Sequence, residues 1–446
     1  MEQEAENLLA AFIRAACVPR DASHGSGTLA AANAILAAHP QIGRDDIHAA
    51  AILGSHEAVG RLLGADAGGA TRRGGPYDWD ALTHLCFSRY LRIDRTRSED
   101  FVLAARSLLE HGANASTGFH WNGEFESAIY GAAGIAHDAE LTRLLLEHGA
   151  DPNDGGETEY HSPEGFDNAA MQVIVESGKL APSGLLTMLV RKLDWTDFDG
   201  AEWLLTHGSD PNLVSHWGDT ALNHALGRDN PLRFIELLLD HGAEPAATSK
   251  NGLSAIAMAA RMARADVLGL FERRGFSTDL GGDHAFLGAC ARGDMDTARS
   301  MVAADPKIVA RLESQDAGLL AYAAGAGNTT AVALMLDLGF DITSRTSKAG
   351  ASEDTALHVA VWRDRVTTVK LLIDRGAPLE VTNKRGETPL ARAVRALVEP
   401  SEWTPHDSVD LVAALLGAGA RADAVRHFPS GVAAADELLR SFGRGA

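Results

Sequence analysis

One phrase returns along the chain at intervals of roughly thirty residues: a Leu-rich stretch that runs into a short polar turn built on glycine. It reads LLEHGANA at 108–115, LLLEHGADPN at 144–153, LLTHGSDPN at 204–212, LLLDHGAEP at 237–245 and LIDRGAPLE at 372–380. Glycine at the end of an apolar helical run suits the left-handed position that stops many helices. The clearest single copy is Asp219–Asn251, where Thr220 can cap a first short helix carrying Leu222, Ala225 and Leu226. Ile235, Leu237, Leu238 and Leu239 then make a second helix, and Gly242 ends it. A chain of 446 residues is too long for one ordinary core. Stacked helix pairs escape that limit, because each packs only on its neighbours.

A helix–turn–helix unit of about 33 residues with a T-P-L-H-like opening is the ankyrin period. TALNHALGRDNPLRFIELLLDHGAEP, TALHVAVWRDRVTTVKLLIDRGAPLEVTNKRG and GETPLARAV resemble it closely. The resemblance covers the chain from about Asp45 to Asp423. It implies an all-α ankyrin-repeat solenoid of about ten or eleven units, several of them degenerate. The irregular aromatic loops are similar to those of bacterial cytosolic ankyrin-repeat proteins, a likeness that implies no established activity.

The expected organisation is an N-terminal helical cap at 1–44, with helices near Glu4–Cys17 and Thr28–His39, and a first array at 45–280. A second array at 281–424 and a capping helix at 425–446 follow. The phrases ILAAHPQIGRD and SMVAADPKIVAR share a design, which suggests that the two arrays begin alike. Their join keeps the repeat phase, so one continuous superhelix with at most a slight bend is expected. The period is broken at 88–100, at 151–183, where a half-repeat helix is expected near Asn168–Ser177, and at 395–408.

Composition narrows the function. The formal net charge of −20 argues against nonspecific binding to nucleic acid or an anionic membrane. The N-terminus begins acidic and its apolar run is interrupted by Arg14, which fits neither a signal peptide nor a membrane span. Cys17, Cys86 and Cys290 are far apart and without a CxxC, as expected of buried thiols in a reducing, cytoplasmic setting.

The family resemblance implies that the loop before each first helix forms a finger, and that fingers and first helices line a concave face. Trp79, Trp121 and Trp217 fall at such fingers, beside Asp80, His120, Glu124, His216 and Asp219. Aromatics flanked by polar groups make good interface anchors; the alternative is that each Trp packs on its own repeat. Across adjacent units these side chains would form one stripe. Arg191, Lys192, Arg228, Arg363 and Arg395 end first helices, and Arg89 lies near the same place. The helix dipole accounts for such placements, while the other reading is an acid-recognising strip, with Asp194, Asp229 and Asp364 close enough in sequence to neutralise it.

Of the 18 histidines, His48 and His358 match the T-P-L-H position, and His111, His148, His207 and His241 precede the turn glycine. The resemblance implies that these bond the backbone. His120, His161, His216 and His224 lie outside the consensus. No metal-ligand spacing, nucleophile elbow or phosphate loop is present, so no cofactor, metal or catalytic residue is assigned. The expected function is a scaffold that binds a protein or peptide through Trp79, Asp80, Arg89, His120, Trp121, Glu124, His161, Asp167, Arg191, Lys192, Trp217, His224 and Arg228. The alternative is an enzyme or small-molecule binder in the same cleft, using acids and histidine such as Asp80, Glu124, His161 and Asp219 for hydrolase-like acid–base chemistry.

Overall fold

The computed structural model describes residues 2–18, 25, 27–346, 352–399, 409–426 and 428–443, with side chains from Glu6 onward. Two compact units divide the chain, Met1–Leu213 and Val214–Ala446. Each is built from short helix pairs in which the first helices of successive pairs pack together and so, for the most part, do the second helices.

In the first unit the pairs are Ile47–Ile52 with His56–Ala65, Ala81–Cys86 with Ser98–Glu110, and Ala128–Tyr130 with Ala139–Glu147. Glu157–His161 with Ala169–Glu176, and Pro182–Asp194 with Phe198–Thr206, complete it. First helices start on a side-chain cap where one is available. Asp80 accepts from Thr83 N, and Thr220 in the second unit accepts from Asn223 N, which satisfies amides that have no partner within the helix. Second helices end as the repeated phrase predicts: Gly242 sits at φ +83°. The Nδ1–H of His111, His148, His207 and His241 donates to the carbonyl four residues earlier, at 2.7–3.0 Å.

Two breaks in the period resolve into structure. Segment 88–97 forms a short helix, Arg89–Ile93, that docks on the N-terminal helices Glu2–Ala16 and Ala30–Ala38, followed by a 3-10 turn. Val18 N donates to Phe87 O at 2.9 Å, and Tyr90 Oη donates to Asn33 Oδ1 at 2.7 Å. Segment 151–183 holds Ala169–Glu176, close to the expected helix, and also a short first helix, Glu157–His161, that the sequence reading did not anticipate. It is therefore a compact helix pair in its own right. Of the third break, 400–408 lies outside the described residues.

The second unit contains Ala221–Gly227 with Leu232–Asp240, Ala255–Arg261 with Ala265–Arg273, and Gly282–Arg292 with Met295–Ala304. After a separate helix, Ile308–Gln315, come Leu319–Ala326 with Thr329–Asp337, Ala356–Trp362 with Val366–Asp374, and Pro389–Val398 with Asp410–Gly417. Ala433–Ser441 closes it. The shared phrases do start alike, with helices beginning at Ile42 and Ile308.

The expectation of a slight bend at the array join needs correction within this unit. Helices pack about 8–10 Å apart, so four stacking steps would separate the loop after Ala221–Gly227 from that after Ala356–Trp362 by roughly 30–40 Å. Yet Arg365 Nη2 lies 2.8 Å from Asp229 Oδ2. The stack turns back because Gly282–Arg292 packs on Ala255–Arg261 and on the second helix Thr329–Asp337, which leaves Leu319–Ala326 touching Ala255–Arg261 directly. Asn328 fastens this turn, its Nδ2 donating to Ala263 O at 2.9 Å and Ala291 O at 2.7 Å.

Candidate functional site

The first finger is a root rather than a tip. Trp79 is 1% exposed, its ring stacked on Phe119 at 4.2 Å and 21° and lying 5.7 Å from Phe87. The packing alternative therefore describes Trp79. Its neighbour Asp80 caps the following helix and accepts from Thr117 Oγ1. His84 lies against the same indole; burial, helped by nearby His48, pushes its pKa down to about 3, so it stays neutral.

Phe119 belongs to the finger that follows. Strands β1 (Gly118–Trp121) and β2 (Glu124–Ser127) pair antiparallel, with Trp121 opposite Glu124 and His120 opposite Phe125. Asn122 and Gly123 turn the chain at φ +52° and +94°, a combination that matches the twist of a two-residue hairpin. The hairpin presents half-buried Trp121 beside exposed Glu124 on one face and exposed His120 on the other. Gly155 lies against its second strand, where a Cβ would meet Phe125 O at 2.0 Å.

The adjoining pair packs its first helix, Glu157–His161, beside the second strand. His161 Nε2 is 3.0 Å from Glu157 Oε2, and Nδ1 is 2.9 Å from Glu164 Oε1. Burial, the largest single effect, pulls the His161 pKa down, but the two carboxylates outweigh it and carry it up to about 9. Glu159 is pushed up to about 7, chiefly by burial. Arg191 reaches Glu164 at 2.9 Å and Asp194 at 2.7 Å, with its guanidinium 4.1 Å from the Tyr160 ring centre. Lys192 is fully buried; its Nζ donates to Gly165 O at 2.8 Å and pairs with Asp197 Oδ2 at 2.8 Å. Asp167 pairs with Arg95 and accepts from Ala169 N.

These bonds fix the loop 162–167, and the residue it leaves outward is Phe166, 63% exposed after Gly165 at φ +74°. Sequence reasoning named Asp167 but passed over Phe166. The available signal was an aromatic directly after a glycine in an acidic stretch, EGFD.

Of the assigned residues, His120, Trp121 and Glu124 thus share one hairpin. His161 and Arg191 meet through Glu164, and Lys192 and Asp167 hold the two sides of Phe166. Arg89 is elsewhere: its Nη1 donates to Ala15 O at 2.7 Å, at the C-terminal end of the first helix, where a cation is favoured. Trp217, His224 and Arg228 belong to the second unit. Trp217 is 44% exposed and stands 3.5 Å from the His216 ring, in a loop closed by Ser215 N donating to Asp219 O at 2.9 Å. His224 is half-buried and Arg228 exposed. Asp80 and His161, named for acid–base chemistry, are each engaged with their own local partners. No group of His, Cys, Asp and Glu among the described residues is arranged to hold a metal ion.

A family model described as ankyrin repeats in three copies matches residues 286–383 and 320–425. Residues 286–425 thus carry ankyrin repeats. It is 28% identical over 232 residues to the NF-kappa-B inhibitor delta of Mus musculus, a match covering 52% of this chain and 65% of that protein. It is 37% identical over 95 residues to a putative ankyrin repeat-containing protein of Treponema pallidum (strain Nichols), covering 21% of this chain and 32% of that one. The chain thus spans less than two thirds of the length of either relative. A crystal structure of the human ASB11 ankyrin repeat domain is similar at TM-score 0.37 and 20% identity, covering 48% of this chain and 90% of that one. Ankyrin repeats in general mediate protein–protein interaction. No described helix of this ankyrin-repeat chain is long and apolar enough to cross a membrane.

Proposed function

We propose that this ankyrin-repeat chain binds a protein or peptide segment through its fingers, on the concave side where the family places them. The observation that carries this reading is Phe166, exposed at the tip of a loop whose every neighbouring charge is tied down. A large apolar side chain held outward at low conformational freedom is a good anchor. Trp121 and the exposed Glu124, on the hairpin beside Glu157–His161, would add to this anchor, and Trp217 would be the corresponding anchor of the second unit. Because Arg191 and Lys192 are closed on Glu164, Asp194 and Asp197, this part of the first unit favours an apolar or basic segment over an acidic one. The buried free thiols and the net charge of −20 support a reducing, cytoplasmic setting and a partner other than nucleic acid.

The test is site-specific photocrosslinking in cell extract. A photoreactive residue at position 166 or 121 should capture a common partner, and one at Glu147 on a second helix should not. Phe166→Ala should abolish capture from position 121 while circular dichroism stays unchanged. Equal capture from Glu147, or full capture in Phe166→Ala, would refute the reading.

A further inference from the structure

The turn-back of the second unit gathers cations that are far apart in sequence. Asp229, 9% exposed in its side chain, receives Arg365 Nη2 at 2.8 Å and Arg264 Nη1 at 3.2 Å, with Arg363 Nη1 at 4.0 Å. Arg363 Nη1 also donates to the Arg228 carbonyl at 3.3 Å, which brings the Arg228 loop to the same place. These guanidiniums are not equivalent. Arg264 is almost wholly buried and closed on Asp266 through Nε at 2.9 Å and Nη2 at 2.8 Å. It is a structural cation. Arg365 donates Nε to Gly325 O and Nη2 to Asp229, and remains 37% exposed. Arg363 is 28% exposed, and among the described residues its guanidinium makes the long hydrogen bond to Arg228 O. A guanidinium carries more donors than these bonds use.

The local charge is unusual for a chain with a net charge of −20. Arg264, Arg363 and Arg365 surround Asp229, with the Arg228 loop beside them, and Asp266 is already taken by Arg264. Burial, together with repulsion from Arg365, Arg228 and Arg264, holds the Arg363 pKa below its ordinary value despite Asp229. An added oxyanion would relieve that repulsion, and the planar fork of arginine suits two-oxygen groups. We propose that Arg363 and Arg365, with Arg228 beside them, form a binding site for an oxyanion, a carboxylate or phosphate group presented by a peptide. The site is distinct from the face in the first unit and does not depend on it. Because it joins loops from the first and fifth helix pairs of the unit, its occupant would also brace the turn-back.

Calorimetric titration of the full chain at roughly 50 mM salt, where screening is moderate, tests this with two probes. Hexaglutamate reports carboxylate recognition and inorganic phosphate reports phosphate recognition. Saturable binding of either is expected, weakened about tenfold or more in Arg363→Gln, the loss of one charge-assisted contact. It should be unchanged in Arg143→Gln, a cation of the first unit. Arginine-directed chemical modification of the unaltered protein provides a readout that no folding defect can imitate: the bound probe should protect the peptide carrying Arg363 and Arg365. Absence of saturable binding by both probes, equal weakening in the two variants, or no protection would overturn the proposal.

Discussion

Arg191 and Lys192 in the first unit, and Arg228 and Arg363 in the second, carry the same local signature: a basic residue closing a first helix, with an aspartate one to three positions on. Their fates differ. Arg191 meets the Asp194 of its own turn and Lys192 meets Asp197, so each charge is cancelled locally and buried. In the second unit Asp229 reaches Arg264 and Arg365 from other helix pairs, and several guanidiniums share it. A helix terminus explains why a cation is tolerated there. Only the tertiary path decides whether it becomes part of the core or part of a surface that recognises something.

The sharpest way to break the contrast is to strand a charge in the first unit. Asp197→Ala leaves the Lys192 ammonium buried with, among the described residues, the Gly165 carbonyl as its partner, which should cost about 3–5 kcal/mol. Losing the cap on Gly200 N should add about 1 kcal/mol. Urea unfolding would report it, and adding Lys192→Met should recover much of the loss. A change under about 1 kcal/mol would mean that Lys192 is not held as described. Next in size is Leu237→Ala, in a regular pair of the second unit. Leu237 is buried, and its truncation should cost roughly 2–5 kcal/mol. A nearly neutral result would show that the regular repeats do not rest on apolar packing.

How much of this was legible in the sequence follows the range of each interaction. The helix pairs were, because the glycine stop and the histidine on the preceding turn act within a few residues. The role of Trp79 was not, since its burial depends on Phe119 of the following hairpin. That hairpin had a readable signal, Asn122-Gly123 between aromatic residues, overlooked beside the helical period. The helix Glu157–His161 is too short and polar to show an apolar period. The pairing of Asp229 with Arg365, 136 residues apart, leaves no local trace.

The two sites should also differ in their response to pH. His161 has its pKa raised to about 9, above its unfolded value of about 6.5. Its contribution is therefore complete below about pH 6.5 and lost as pH rises through 9. Glu159, raised to about 7, adds a loss in the same direction at lower pH. Stability should fall by roughly 1–3 kcal/mol between about pH 6 and pH 9. His161→Gln should flatten the upper part of that fall and leave the lower part, which unfolding curves across the range would show. The guanidiniums around Asp229 stay charged throughout. A pH dependence unaltered by His161→Gln would place the titrating group elsewhere.

The smallest expected effect discriminates most finely. Arg363 is partly exposed and its contact with the Asp229 carboxylate is long, at 4.0 Å, so Arg363→Gln should change stability by about 1 kcal/mol or less. Arg264→Gln, by contrast, removes a buried cation from Asp266 and Asp229 and should cost more, about 3–5 kcal/mol. If the two variants destabilise equally in urea, the whole cluster is a structural clamp like that around Lys192, and the distinction between the units disappears. If Arg363→Gln is nearly silent in stability yet loses hexaglutamate or phosphate, Arg363 serves recognition and Arg264 serves the fold. A carboxylate shared by several guanidiniums leaves one of them available, whereas a carboxylate matched to a single buried cation leaves none.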